Sequence, residues 1–378
     1  MTSISDPFAI AAQFAFPAAV KSIEAYGGGI INDTYLVSFA DIKAPQNART
    51  GQRAILQCIN SSVFPHPEWI MQNLQKVLLH TEAILARGDA SLNFIMPPIY
   101  QTKDDSPCYR DQNSHYWRAM GFIERTRNYD TVTNQRQAHE AGVALARFHL
   151  LMGDLPIHQL KDTLPGFHVT PQYLQHFDNV WGNLQASKSH TRHEMIMVDD
   201  CLRVINEHRT LAGVLEYADP PLPLQVIHGD PKLNNFLFDQ QTDTVVSLID
   251  LDTVKPGLLH YDLGDCLRST CNLSGEFPAN IESVVFDRKI CEALLQGYIH
   301  TAANRLRRQD LELVYDCIRL LPFELGLRFF TDHLLNDRYF KVTSHGDNLY
   351  RARVQFRLLR SIEQQASELQ QLIKQLTV

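Results

Sequence analysis

The chain has 378 residues, 44% of them apolar, and a formal net charge of −7. That length suits two lobes, the apolar share excludes a disordered chain, and the acidic balance argues against a nucleic acid partner. No run of about 18 apolar residues occurs, so no membrane partner is expected. The first twenty residues have no basic segment and carry Asp6 and two prolines, which does not fit a signal peptide. Seven scattered cysteines, with no C-x-x-C pair, read as the reduced thiols of a cytoplasmic protein. The 16 histidines show no metal-binding spacing, and "HEMIM" at 193–197 lacks the second His of a zinc-protease helix.

In chain order, residues 20–60 read as strands. A triple glycine, Gly27 to Gly29, separates two β-prone runs, and the second alternates through Tyr35, Val37 and Phe39. "RAILQCIN" is a further short strand. Helical spacing follows at Ile70, Leu74, Val77, Leu78 and Ile84, with Gly88 as the stop signal. "HYWRAMGFIE" reads as a strand. After Glu124 helices dominate, starting with "TNQRQAHEAGVALARFHLLM", apart from a β-rich insert at 224–255. The stretch from Asn348 to Leu376 reads as one long amphipathic helix packing its apolar stripe on the body of the protein. The expected class is α+β and bilobal: a small β-rich N-lobe over 1–124 and a larger, mainly helical C-lobe over 125–378.

The insert carries the chemistry. "VIHGDPKLNNFLFDQQTDTVVSLIDLD" at 226–252 holds two apolar strands around a polar turn, Gln240 to Asp243, which is a hairpin signature. A hairpin brings its ends together, so Asn235 and Asp250 meet. One carboxylate and one amide oxygen suit Mg²⁺, which takes few carboxylates and completes its shell with phosphate oxygens and water. Asp230, in the loop just before, is placed to orient an incoming hydroxyl and accept its proton. That division of labour is the kinase one. Lys232 lies on the same side of the loop and offers a cation for the transferring phosphoryl group, with a solvated Lys as the bland reading. His228 is expected to pack beneath the loop, and Asp252 either to brace the loop or to join the metal. Asp262 and Asp265 read as acids complementing a helix N-terminus.

These segments resemble the aminoglycoside phosphotransferase and choline kinase superfamily, whose fold is protein-kinase-like. The match is closest to the N-acetylhexosamine 1-kinase-like branch, carried by "HGDPKLNNFLFD", "IDLDTVKPGLLHYDLGDCLR", "FHVTP" at 167–171 and "FELGLRFFTDHLLNDRYF" at 323–340. The resemblance implies ATP as co-substrate and Mg²⁺. It lays the turn at Gly27, Gly28 and Gly29 over the nucleotide, where backbone N–H groups approach phosphate closely. Asn32 and Asp33 would then reach the acceptor. The adenine edge would meet the connection from Gly121 to Glu124, including Phe122. Gln57 stands where kinases carry a phosphate-pairing Lys, and Ile30 near a position that is His in hexosamine kinases. Arg328 and Tyr339 fall where the branch contacts its sugar.

The expected function is an ATP- and Mg²⁺-dependent kinase of a small-molecule acceptor, a sugar hydroxyl, the anomeric one of a hexose or N-acetylhexosamine being the specific candidate. The alternative acceptor is an aminoglycoside or amino alcohol, against which Arg328, Arg338 and Arg351 weigh. A nucleotide-binding pseudokinase is the rival of another class, motivated by Gln57.

Overall fold

The computed structural model describes residues 5–27, 31–40, 49–88, 92–184 and 192–376. Its first part runs α1 (Pro7–Ala11), β1 (Val20–Ala25), β2 (Asp33–Phe39), β3 (Arg53–Ile59), α2 (Pro67–Leu85), β4 (Ile99–Tyr100), β5 (Tyr109–Arg110) and β6 (Tyr116–Gly121). The strands form one antiparallel sheet ordered β1-β2-β3-β6-β4, with β5 also on β6. Side chains alternate across a strand with period two. Val37, Phe39, Ala54, Leu56, Trp117 and Ala119 therefore share one face, where they pack with Ile10 and Phe14 in a small core. Gln57 and Arg118, paired in register, point away from that core.

The second part runs β7 (Thr126–Arg127), α3 (Gln135–Met152), α4 (Thr170–Leu184), α5 (Arg192–Glu207), β8 (Gln225–Ile227), β9 (Phe236–Asp239), β10 (Val245–Leu248), β11 (Lys255–Gly257) and α6 (Leu259–Thr270). It closes with α7 (Arg288–Ala302), α8 (Arg308–Glu312), α9 (Val314–Leu334), α10 (Asp347–Gln364) and α11 (Ala366–Leu376). Helices α3, α6, α7, α9 and α10 surround the main core, with Phe148, Phe236, Phe286, Phe323 and Phe330 fully enclosed. Helices α3 and α7 cross at backbone contact. A Cβ on Gly142 would lie 2.1 Å from the Leu294 carbonyl, and one on Gly297 2.2 Å from that of His139.

Three expectations are refined. The strands of the insert fall into two small sheets, β9-β10 joined by β7 from outside the insert, and β8-β11. Helix α2 belongs by sequence to the first lobe, yet Met71, Leu74 and Val77 enter the main core. Asn73 ties it there, donating to the carbonyls of Lys161 and Val254. The single long C-terminal helix is two helices broken at Gln365, whose amide donates to the carbonyls of Phe286 and Ser361. The apolar stripe does pack inward, through Leu349, Leu358, Leu359, Ile362, Leu369 and Ile373.

Candidate active site

Strand β8 delivers His228, Gly229 and Asp230 to the floor of a cleft. Gly229 has φ +87°, and a Cβ there would stand 2.8–2.9 Å from atoms of Thr253, so glycine is required on both counts. Asp262, in the first turn of α6, accepts the backbone N–H groups of His228 (2.7 Å) and Gly229 (2.8 Å), and faces His149 Nε2 at 2.9 Å. Asp262 does lie at the helix N-terminus as expected, and its carboxylate in addition braces the loop. Burial opposes its ionisation, but the His149 bond and charge hold it below the usual range. Asp265 pairs with Arg268 instead, at 2.7 Å. His228 is fully enclosed, and burial pushes its pKa down. A neutral ring fits its surroundings: Nε2 lies 3.0 Å from the Ile249 carbonyl, and Nδ1 accepts the Asp230 N–H at 3.3 Å.

The β9–β10 hairpin forms, and Ile249 N donates to the Asn235 carbonyl at its open end (2.9 Å). Asn235 Nδ2 donates to the Asp230 carbonyl at 2.7 Å, leaving Oδ1 as the end that could take a cation. Asp250 sits in the left-handed region (φ 68°, ψ 56°), uncommon for a residue with a side chain and a recurrent mark of functional loops. Lys232 Nζ donates to Asp230 Oδ2 at 2.7 Å, and Asp230 and Asp250 keep the ammonium charged against the cost of its enclosure. Asp250 is open to the cleft. Even so, the cleft walls strip bulk water from it, Asp252 adds like charge, and its pKa rises to about 7. A divalent cation would relieve that repulsion. One amide and adjacent carboxylates match the hard-oxygen donor set of Mg²⁺.

Across the cleft, the position expected to contact phosphate through Gln57 is organised differently. Gln57 Oε1 accepts two bonds from Arg118 (3.0 and 2.9 Å), and its Nε2 donates to Thr34. Arg118 is 2% exposed and pairs with Asp252 at 2.5 Å. Asp252 also accepts from Asn32 Nδ2 at 2.9 Å, while Asn32 Oδ1 accepts the Asn60 N–H. Gln57 therefore positions a guanidinium, and Asn32 ties the sheet to the hairpin loop. Arg118 is the residue that reading the sequence missed. Its signal was a lone cation in the apolar strand "HYWRAMG". Asp33 faces Lys341 at 3.6 Å, beside the loop that bears Tyr339. Gly27 has φ +74° and lines a hollow of about 170 Å³ with Asn32, Asp33 and Thr34. Gly28, Gly29 and Ile30 lie outside the described residues.

Two N–H groups of the connection already have backbone partners. The N–H groups of Phe122 and Glu124 donate to the carbonyls of Arg53 (3.0 Å) and Arg49 (2.7 Å), so a base would have to displace Arg49 to reach Glu124 N. The Phe122 ring lies between Tyr26 and the Arg53 guanidinium, and Glu124 binds Arg53 through both oxygens.

The region expected to meet the acceptor is built on α9. His168 faces Glu324 through Nδ1 (2.8 Å) and the Gly229 carbonyl through Nε2 (2.6 Å). Both partners are acceptors, so both nitrogens must donate, which is the protonated ring. Burial opposes that charge, and Glu324 overcomes it, raising the His168 pKa. Thr170 donates to the second Glu324 oxygen at 2.7 Å, and Arg328 lies 3.9 Å from the first. The Arg328 guanidinium sits among Phe167, Tyr173, Tyr339 and Phe340, at 5.0–6.0 Å from each ring centre. It lines a cavity of about 230 Å³ with Tyr173, Thr331, Asp332, Tyr339 and Phe340. Glu324 and His168 link Arg328 to the Gly229 carbonyl, one residue before Asp230, which sets the cavity near the loop. Helix α9 ends at Leu334, and Asn336 and Asp337, both at positive φ, return the chain so that Tyr339 meets Arg328. Among the described residues, Asp332 is the one carboxylate lining the cavity. Its oxygens accept the N–H groups of Arg338, Tyr339 and Phe340 and the amide of Asn348.

The comparisons agree with this architecture. Over 99% of its length the chain is similar to a crystal structure of an aminoglycoside phosphotransferase from Alicyclobacillus acidocaldarius (98% of that chain covered, 15% identity, TM-score 0.63). It is similar to amicoumacin kinase solved with AMP-PNP, Ca²⁺ and amicoumacin, with 94% and 91% of the two chains covered (13% identity, TM-score 0.56). It is similar, over 98% of both chains, to a choline/ethanolamine kinase family protein from Mesorhizobium loti (16% identity, TM-score 0.53). The fold is the bilobal kinase-like one. The model of the phosphotransferase enzyme family matches residues 83–299, more than half of the sequence and the whole of the loop and hairpin, and the chain belongs to that family.

Proposed function

We propose that this phosphotransferase is a cytoplasmic, ATP- and Mg²⁺-dependent kinase of a neutral sugar, acting on a hydroxyl such as the anomeric one of a hexose or N-acetylhexosamine. Residues 1–124 and 125–378 are its two lobes, with the nucleotide between them. Asp230 orients the acceptor hydroxyl and takes its proton. Lys232, bonded to Asp230, neutralises charge on the moving phosphoryl group. Asn235 and Asp250 would hold Mg²⁺, which when bound screens the phosphate oxygens. Arg118, held by Gln57, meets phosphate charge from the strand beside the one where kinases carry their Lys. The turn at Gly27 covers the phosphates, Phe122 flanks the base, and Arg328 and Tyr339 contact the sugar.

One observation carries the choice of acceptor. The cavity beside the loop presents a cation, Arg328, and its single carboxylate, Asp332, is consumed by backbone N–H groups and Asn348. The aromatic rings that could hold an ammonium group already hold a guanidinium. A cationic amino alcohol would be repelled by Arg328, with Glu324 already shared between Arg328 and His168 and both Asp332 oxygens engaged, whereas hydroxyls can accept from Arg328 and lie against Tyr339. The test is nucleotide consumption measured with Mg²⁺ over free sugars, N-acetylated amino sugars, amino alcohols and aminoglycosides. Turnover of a cationic amine in preference to every neutral sugar would refute the acceptor class.

A further inference from the structure

We propose that His333, Asp337 and His345 form a site for a Zn²⁺-like divalent ion that clamps the loop joining α9 to α10. One ring nitrogen from each His and one carboxylate oxygen from Asp337 lie within 4.8 Å of one another. A tetrahedral ion with ligands at about 2.1 Å needs donors about 3.4 Å apart. The edge between His345 Nδ1 and Asp337 Oδ2 already measures 3.2 Å. The two imidazole rings lie face to face, 5.1 Å between centres. The other edges are no longer than 4.8 Å, and the His345 side chain, 64% accessible, is the ligand with most room to adjust.

The supporting atoms are in place. Asp337 is 6% exposed at its side chain, and its other oxygen accepts Asn348 Nδ2 at 2.9 Å, so one oxygen is fixed and the other is aimed at His345. Outer hydrogen bonds of this kind orient ligands in metal sites. His333 is buried in the last turn of α9, whereas His345 comes from the loop, so an ion here would bridge the helix to the connection that leads to α10. Two imidazoles and one carboxylate favour zinc and its late first-row neighbours over Mg²⁺ or Ca²⁺, which take oxygen. The site is therefore chemically distinct from the oxygen set at Asn235 and Asp250. The loop it would pin carries Tyr339 and Phe340 to the cavity wall. The spacing H-x3-D-x7-H resembles no helical zinc motif, which is why the histidines looked unrelated in the sequence.

The experiment uses the untagged full chain and Zn²⁺ alone, titrated calorimetrically, with Co²⁺ as a spectroscopic stand-in. Wild type should bind one Zn²⁺ per chain at this site and give tetrahedral Co²⁺ bands. His345→Ala, which removes an exposed side chain and leaves the core intact, should weaken binding at least about tenfold and abolish those bands. Asp250→Ala should keep both. Zn²⁺ should also slow tryptic cleavage after Arg338 and Lys341 in wild type and not in His345→Ala. Equal affinity in wild type and His345→Ala, loss of Zn²⁺ binding in Asp250→Ala, or cleavage indifferent to Zn²⁺ would overturn the proposal.

Discussion

Replacing Arg118 by Met tests the part of the site that the sequence hid. The guanidinium is 2% exposed and has three attachments, two to Gln57 Oε1 and one to Asp252. Met keeps the stem volume and removes the charge, which strands Asp252 (3% exposed) with only Asn32 as a partner among the contacts described above. Removing one member of a buried pair costs about 3–5 kcal/mol. Asp252→Asn in the same chain removes the stranded charge, so the double variant should be more stable than the sum of the singles by about 1–3 kcal/mol. If Arg118 also meets phosphate, the loss of a charged hydrogen bond of about 1.5–3 kcal/mol should weaken nucleotide binding about 10- to 150-fold. Arg118→Lys, which keeps a charge, should recover part of that affinity. Urea unfolding reads the first quantity and calorimetric titration of Mg-nucleotide the second. A folded Arg118→Met protein with wild-type nucleotide affinity would refute the phosphate role, and purely additive stability losses would refute the pairing.

Asp230→Asn should cut turnover by about 10² to 10⁴ while nucleotide affinity, measured by calorimetry, stays near wild type; near-normal turnover in the folded variant would remove Asp230 from the chemistry. Asp250→Ala should abolish the Mg²⁺ dependence of nucleotide binding, and Asn235→Ala should weaken it less because only Asp250 is charged; identical metal titrations for wild type and Asp250→Ala would sink the hairpin site. The His168–Glu324 pair sets a pH window. His168 is raised, so its contribution is complete below the ordinary His value of about 6.5 and is lost as pH rises through the raised value. Glu324 is depressed, so its share is complete above the ordinary Glu value and is lost as pH falls through the depressed one. In urea titrations from neutral to alkaline pH, the stability gap between wild type and His168→Gln should shrink; a gap independent of pH would contradict a charged His168.

What was legible in the sequence was local. The hairpin could be read because its two apolar strands and polar turn are contiguous, and its closure follows from chain connectivity. The positive φ at Asn336 and Asp337 could be read as a turn for the same reason. Arg118 could not be placed, because its partner Gln57 is fixed only by the pairing of β3 with β6 across 61 residues. The hydrogen bonds of His168 to Glu324 and Gly229 span 156 and 61 residues. Asp262 looked like a helix-dipole acid because its position in α6 is local, whereas its use by His228 and Gly229 depends on how α6 meets β8. The break at Gln365 has neither Gly nor Pro to announce it. It follows from a tertiary bond to the Phe286 carbonyl.

Glu324 joins the two halves of the proposed reaction. One of its oxygens faces His168, whose other nitrogen faces the Gly229 carbonyl, one residue before Asp230; the same oxygen lies 3.9 Å from Arg328 in the acceptor cavity. Glu324 and His168 are buried and Arg328 is largely enclosed, so their charges depend on one another: His168 stays protonated because Glu324 is ionised, and Glu324 is depressed in part by Arg328. A carboxylate shared between two cations at low dielectric is stable only while both remain close. The acceptor-side Arg and the loop that bears Asp230 are therefore held to one geometry by a single side chain on α9. That is what positioning a hydroxyl against a catalytic carboxylate requires. The same arrangement explains why two stretches so far apart in the chain, "FHVTP" and "FELGLRFF", occur together with "HGD": they are three sides of one buried junction.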